Sequence, residues 1–182
     1  MNIFVLDKDP IAAARYHCDK HVVKMLLESV QMLATAHHVL DGRTVEGLKP
    51  THANHPCSLW VRESSSNYRW LRDMARGLSS QYSLRYGKQH KYDPAVFVGG
   101  LATQPAAILA GDPTPHPQCM PEAYRVPGDA VLAYRFYYIG MKMRFARWRN
   151  SVGVPYWIES TSELFDAQGL PYDLGEELAD TE

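Results

Sequence analysis

Asp9-Pro10 and Asp41-Gly42 bracket one long stretch whose polar residues share a helical face, and this feature most limits how the chain can fold. Asp supplies a side-chain cap, Pro suits the first helical position, and Gly takes the left-handed conformation that ends helices. Within the stretch His17, Lys20, His21, Lys24, Glu28, Gln31, Thr35 and His38 fall in one arc of about 100°. Cys18, Val22, Met25, Leu26, Leu33 and Ala36 occupy the opposite arc. A helix with an apolar side must bury it against other elements. The same punctuation predicts a second helix from Ser58 to about Tyr86, stopping at Gly87, and a third from after Gly128-Asp129 to about Arg149. Residues 2–6 (NIFVL) form an edge strand or a buried extended arm, and the Pro-rich residues 93–128 read as loops with at most short helices. The expected fold is mainly α: a single compact helical domain with three long helices, a short N-terminal extended arm and a Pro-rich loop region.

Length and composition narrow the class. With 182 residues, 46% of them hydrophobic and 21% charged, the chain can bury one core and matches neither disordered nor fibrous proteins. Its apolar runs are too short and too charged to span a bilayer, and MNIFVLDKD is not a secretory leader. Three cysteines argue against a disulfide framework. The expectation is a cytoplasmic protein with no membrane partner. Charge divides the chain: residues 151–182 hold eight acids and no Lys or Arg, leaving 19 basic residues against 12 acids in residues 1–150. The expected division, a basic helical catalytic domain over residues 1–150 and an acidic C-terminal segment over 151–182, suits a protein that meets a polyanion, and the tail acids equally suit a solvated chain end.

Several side chains carry candidate chemistry. Lys20, Lys24 and Glu28 stack at i, i+4 and i+8, so two amines and a carboxylate share one patch with His21 and Gln31. That pattern fits a general acid/base beside an amine as well as it fits a solvated face. Asp19 projects away from the polar arc, where a carboxylate needs a partner, either a salt bridge to another helix or a ligand. Asn54-His55-Pro56 precedes the second helix and places an imidazole and an amide beside exposed helix N–H groups, as a phosphate site would. Asn67 adds a further polar group on that helix. Arg62, Arg69, Arg72 and Arg76 lie within about 80° of one another, and with Arg85 and Lys91 they make a candidate phosphate-tracking stripe. Ion pairs to the acidic segment are the rival reading of the stripe. Tyr134, Tyr137, Tyr138, Met141, Phe145 and Trp148 fall on one side of the third helix, as core residues do. His17-Cys18-x-x-His21, His52-x-x-His55-x-Cys57 and His116-x-x-Cys119 match no zinc ribbon, finger or deaminase order, so no metal is expected from spacing.

The order of these parts resembles the phage-type pyrimidine-dimer DNA glycosylases of the endonuclease V class. HVVKMLLESVQML is similar to that family's active helix and puts Glu28 at its catalytic glutamate; Asn54-His55-Pro56 and Arg85-Tyr86-Gly87 resemble further family features. The likeness covers roughly residues 1–92, and DKHVVKM and CMP segments are similar to those of uncharacterised phage proteins. The resemblance implies a glycosylase/AP lyase that displaces a pyrimidine from duplex DNA and attacks the sugar C1′ with an amine, without a cofactor, in a bacterial host cell. The family's nucleophile is an α-amine exposed by methionine removal, whereas bulky Asn2 keeps Met1 in place here. Met1, Lys20 or Lys24 then supplies the amine. A phage DNA pyrimidine-modifying transferase, which needs a small-molecule co-substrate bound near the first helix, is the alternative, and a non-catalytic DNA- or protein-binding module is the third.

Overall fold

The computed structural model describes residues 1–45, 47–149 and 153–172. They form a mainly α structure: α1 (Pro10–Tyr16), α2 (Asp19–Asp41), α3 (Pro56–Glu63), α4 (Ser65–Tyr86), α5 (Asp93–Phe97), a 3-10 turn (Glu122–Tyr124), α6 (Ala130–Lys142) and α7 (Trp157–Ala167). Among the described residues there is no strand, and no helix is long and apolar enough to cross a membrane. α1, α2 and α3 pack against α4, and α7 packs against α6. At the α1–α4 crossing Gly77 is required by space, since a Cβ there would sit 2.7 Å from the Ala14 Cβ.

Each of the three expected long helices is shortened or divided. The first breaks at His17 and Cys18, both extended. The Cys18 N–H donates to the Tyr138 hydroxyl at 2.8 Å, the Asp19 N–H donates to the Arg147 carbonyl at 2.8 Å, and the His17 carbonyl accepts from Arg85 at 2.7 Å. The second starts two residues early at Pro56 and breaks at Ser64, whose hydroxyl accepts from the Asn67 N–H and restarts the helix as α4. The third stops at Lys142, so Arg144, Arg147 and Arg149 leave the helix, and Arg147 and Arg149 return to Asp19. Part of the expected acidic segment is also structured: α7 buries Trp157 and Phe165 against the rest of the core. Residues 173–182, with the remaining acids, lie outside the described residues.

Residues 2–6 are the buried arm rather than an edge strand. Ile3, Phe4, Val5 and Leu6 are all buried, and the Phe4 ring is stacked with Tyr137 and packs on His21, Tyr134 and Tyr138. The arm threads between α2 and α6 and so delivers Met1 onto the face of α2.

This aromatic layer fixes the state of two histidines. Burial, reinforced by the charges of His17, Lys142 and Lys24, pulls the His21 pKa from 6.5 down to about 3, and burial pulls His17 down to about 4. Above pH 6.5 both rings are neutral folded or unfolded. Below it the unfolded chain binds a proton that the folded chain refuses, so stability falls with pH until the folded values are approached. For His21 the loss reaches about 2 kcal/mol by pH 5. Urea unfolding at pH 7 and pH 5 should therefore show His21→Phe recovering about 2 kcal/mol of the wild-type drop. Equal drops in both proteins would refute this assignment.

Candidate functional site

The arm and α2 together build a small polar centre. The Asn2 N–H donates to Glu28 Oε2 at 2.7 Å, and the Met1 amine stands 3.9 Å from the same oxygen. Lys24 Nζ lies 3.8 Å from Glu28 Oε1. The Glu28 side chain is 11% exposed and that of Met1 3%, while Lys24 is 69% exposed. The centre thus sets the chain-terminal amine and a solvent-facing lysine amine on either side of one shielded carboxylate.

Asn2 anchors this end of the arm. Its Nδ2 donates to the Cys119 carbonyl at 2.9 Å, and its Oδ1 accepts from the Tyr134 hydroxyl at 2.8 Å and from the Ile3 N–H at 2.8 Å. Asn2 thus holds the backbone beside the amine. Nothing in the spacing of the sequence signals this role.

Beside the amine lie His55, Cys57 and Cys119. His55 is half-buried at the N-terminus of α3 and its Nδ1 accepts from the Cys57 N–H at 3.1 Å. Burial and then the charge of the Met1 amine lower its pKa. The buried Cys57 thiol donates to Cys119 Sγ at 3.6 Å. That hydrogen bond, aided by Arg125 and the Met1 amine, lowers the Cys119 pKa to about 7 despite partial burial, and the Cys57 thiol is pushed up in return. His55 and Cys119 line an open cleft of about 470 Å³ with Met120, Arg125 and Tyr137.

The other expected site residues are distributed unevenly. Gln31 is half-buried one turn beyond Glu28, and Asn54 is exposed in the turn before His55. Lys20 is exposed, its Nζ 5.2 Å from the Phe145 ring centre, and is not paired with Glu28. His21 does not serve as the expected proton carrier, because its ring is buried among Phe4, Tyr138 and Phe145 and stays neutral. Asn67 is fully buried and its amide bonds the Trp60 carbonyl and Thr114, so it holds a loop.

The arginine stripe is largely dissolved by the fold. Arg62 donates to the carbonyls of Ala53 and Ser58 and so fixes the turn that presents His55. Arg72 and Arg76 pair with Asp73 and donate to the carbonyls of Ala102 and Val96, which staples the loop around α5 onto α4. Arg85 is buried with no exposed side-chain surface, bonded to the carbonyls of His17 and Arg15 and paired with Asp19 at 3.2 Å. Asp19 in turn accepts from Arg149 Nε at 3.2 Å and so acts as the hub of an ion-pair network, committed to two arginines of the fold. Helical spacing showed which side the arginines share, but loop carbonyls on that side were invisible to it. Arg69, which donates to Ser66, and Lys91, which lies over the Tyr92 ring, stay exposed.

Comparison with known proteins adds no relative: no family model, no curated protein and no solved structure matches the chain.

Proposed function

We propose that the protein is a DNA-acting enzyme of the glycosylase/AP lyase type, with the Met1 α-amine as nucleophile and Glu28 as general acid/base. The observation that carries this reading is the 3.9 Å approach of the chain-terminal amine to a shielded carboxylate, which the Asn2 N–H also holds. A primary amine that has lost its proton attacks the sugar C1′ of a displaced pyrimidine nucleotide, the C1′–base bond breaks, and the base leaves with the electron pair. The resulting imine links C1′ to the Met1 nitrogen. Glu28 is placed to accept the proton that the amine sheds and to return one during opening of the sugar. Met1 suits this role better than Lys24, which is mostly in water, or Lys20, which is away from Glu28. The basic balance of residues 1–150 supports duplex DNA as the partner, although Arg72, Arg76 and Arg85 are committed to the fold.

The cleft beside His55 and Cys119 favours a second reading, a pyrimidine-modifying transferase that binds a small co-substrate there. One experiment separates the two. The protein is incubated with duplexes carrying a thymine dimer or a 5-hydroxymethyluracil under borohydride, and its intact mass is measured. A covalent adduct that maps to Met1 and disappears after N-terminal acetylation is expected. No adduct on either duplex would overturn the glycosylase reading and leave the transferase to be tested by co-substrate binding.

A further inference from the structure

We propose that His55, Cys57 and Cys119 form a three-ligand site for a thiophilic divalent transition-metal ion of the zinc type. Their ligand atoms all lie within 4.8 Å of one another, although Cys119 comes from a loop 62 residues beyond Cys57. The two sulfurs stand 3.6 Å apart, and two thiolates on one tetrahedral zinc ion are about 3.7 Å apart at ordinary Zn–S lengths. Coordination therefore requires almost no movement of either cysteine. A sulfur–nitrogen edge on the same ion is about 3.5 Å, within reach of a small swing of the His55 ring.

The scaffold around the ligands is fixed independently of any ion. The Cys119 carbonyl accepts from Asn2 and its N–H donates to Tyr134, so its backbone is held on both sides. Cys57 sits in the first turn of α3 directly after Pro56. The His55 lone pair lies on Nδ1, which now accepts from the Cys57 N–H, and coordination exchanges this hydrogen bond for a bond to the ion. Binding displaces two thiol protons: one divalent ion, two thiolates and one neutral imidazole sum to zero charge. A neutral cluster is compatible with the nearby Met1 amine, whereas two bare thiolates at this separation would repel each other strongly. Three protein ligands leave a fourth tetrahedral position for solvent or a substrate heteroatom. Because His55 and Cys119 line the cleft and Cys57 lies behind them, that position faces the cleft.

The site stands apart from the glycosylase reading, whose adduct assay needs no metal. Its test uses the full chain, stripped with a chelator and kept reduced with a phosphine, titrated with Co²⁺ as the probe. One equivalent should produce the visible bands of a tetrahedral cobalt ion and an ultraviolet sulfur-to-cobalt band, both removed by one equivalent of Zn²⁺. Cys57→Ser and Cys119→Ser should each remove the tetrahedral spectrum, His55→Ala should weaken binding, and Cys18→Ser, altered at a buried cysteine outside the cluster, should leave it unchanged. Circular dichroism checks the fold of each variant, and Cys119, the partly exposed ligand, suffices if Cys57→Ser does not fold. Absence of the cobalt–thiolate bands while all thiols remain titratable would overturn the proposal. So would an unchanged spectrum in Cys119→Ser, or a Cys57–Cys119 disulfide persisting under the reductant, which would make the pair a redox couple.

Discussion

Asp19→Ala is expected to lower the free energy of unfolding by about 3–5 kcal/mol, the usual cost of removing one partner of a buried ion pair. The carboxylate accepts from Arg85 Nη1 at 3.2 Å and from Arg149 Nε at 3.2 Å, and the Asp19 backbone meets Arg147 and Tyr86. Four parts of the chain therefore converge on one residue: the α1–α2 break, the start of α2, the end of α4 and the segment after α6. Deleting the carboxylate leaves the Arg85 guanidinium buried without its Asp19 counter-ion, beside the His17 and Arg15 carbonyls and the Gln81 amide oxygen. The energetic asymmetry makes a second variant informative. Replacing Asp19 and Arg85 together by leucine and methionine should recover much of the loss, because two desolvated charges are removed with their attraction. Urea denaturation of the wild type, the single and the double variant measures all three. A single-variant loss under about 1 kcal/mol would show the network to be no stronger than a surface pair.

That network also shows what the sequence made legible. Asp19 stood out because a carboxylate on the non-polar side of an amphipathic helix needs a partner, and the salt bridge to another helix was one of the two readings. Helix starts and stops at Pro10, Gly42, Gly87 and Asp129 followed from local chemistry, since caps depend on near neighbours in the chain. The break at His17-Cys18 did not, because its cause is the Tyr138 hydroxyl and the Arg85 guanidinium, both far along the sequence. The Ser64 break differs in that its cap is local; the serine preceding Asn67 was a usable signal inside an otherwise continuous amphipathic pattern. Arg72 and Arg76 share a side of α4 as their spacing requires, while the Ser64 break puts Arg62 on α3; whether an arginine meets solvent or a loop carbonyl depends on how loops return. The pairing of Cys57 with Cys119 belongs to the same class: two separate His/Cys spacings become one cluster only when the loop before α6 folds over α3.

Glu28→Gln is expected to slow formation of the borohydride-trapped adduct by about 10²–10⁴-fold, the range attached to loss of a positioned general acid/base. Glutamine preserves the length of the side chain and an oxygen that can still accept from the Asn2 N–H, so the arm should remain docked on α2. What it removes is the negative charge beside the Met1 amine and the capacity to take a proton from it. The carboxylate is 11% exposed, which limits how far bulk water can replace it in that role. Lys24→Met provides the contrast. Its ammonium is 69% exposed and 3.8 Å from Glu28, a pair worth no more than about 1 kcal/mol, so adduct formation should change several-fold at most. Acetylation of Met1 should abolish the adduct in every background. If Glu28→Gln forms adduct within a few-fold of wild type while Met1 acetylation abolishes it, the amine acts without the carboxylate, and Glu28 is then an anchor for the arm. Retention of the adduct after acetylation would instead move the nucleophile to a lysine and remove the Met1 amine from the mechanism.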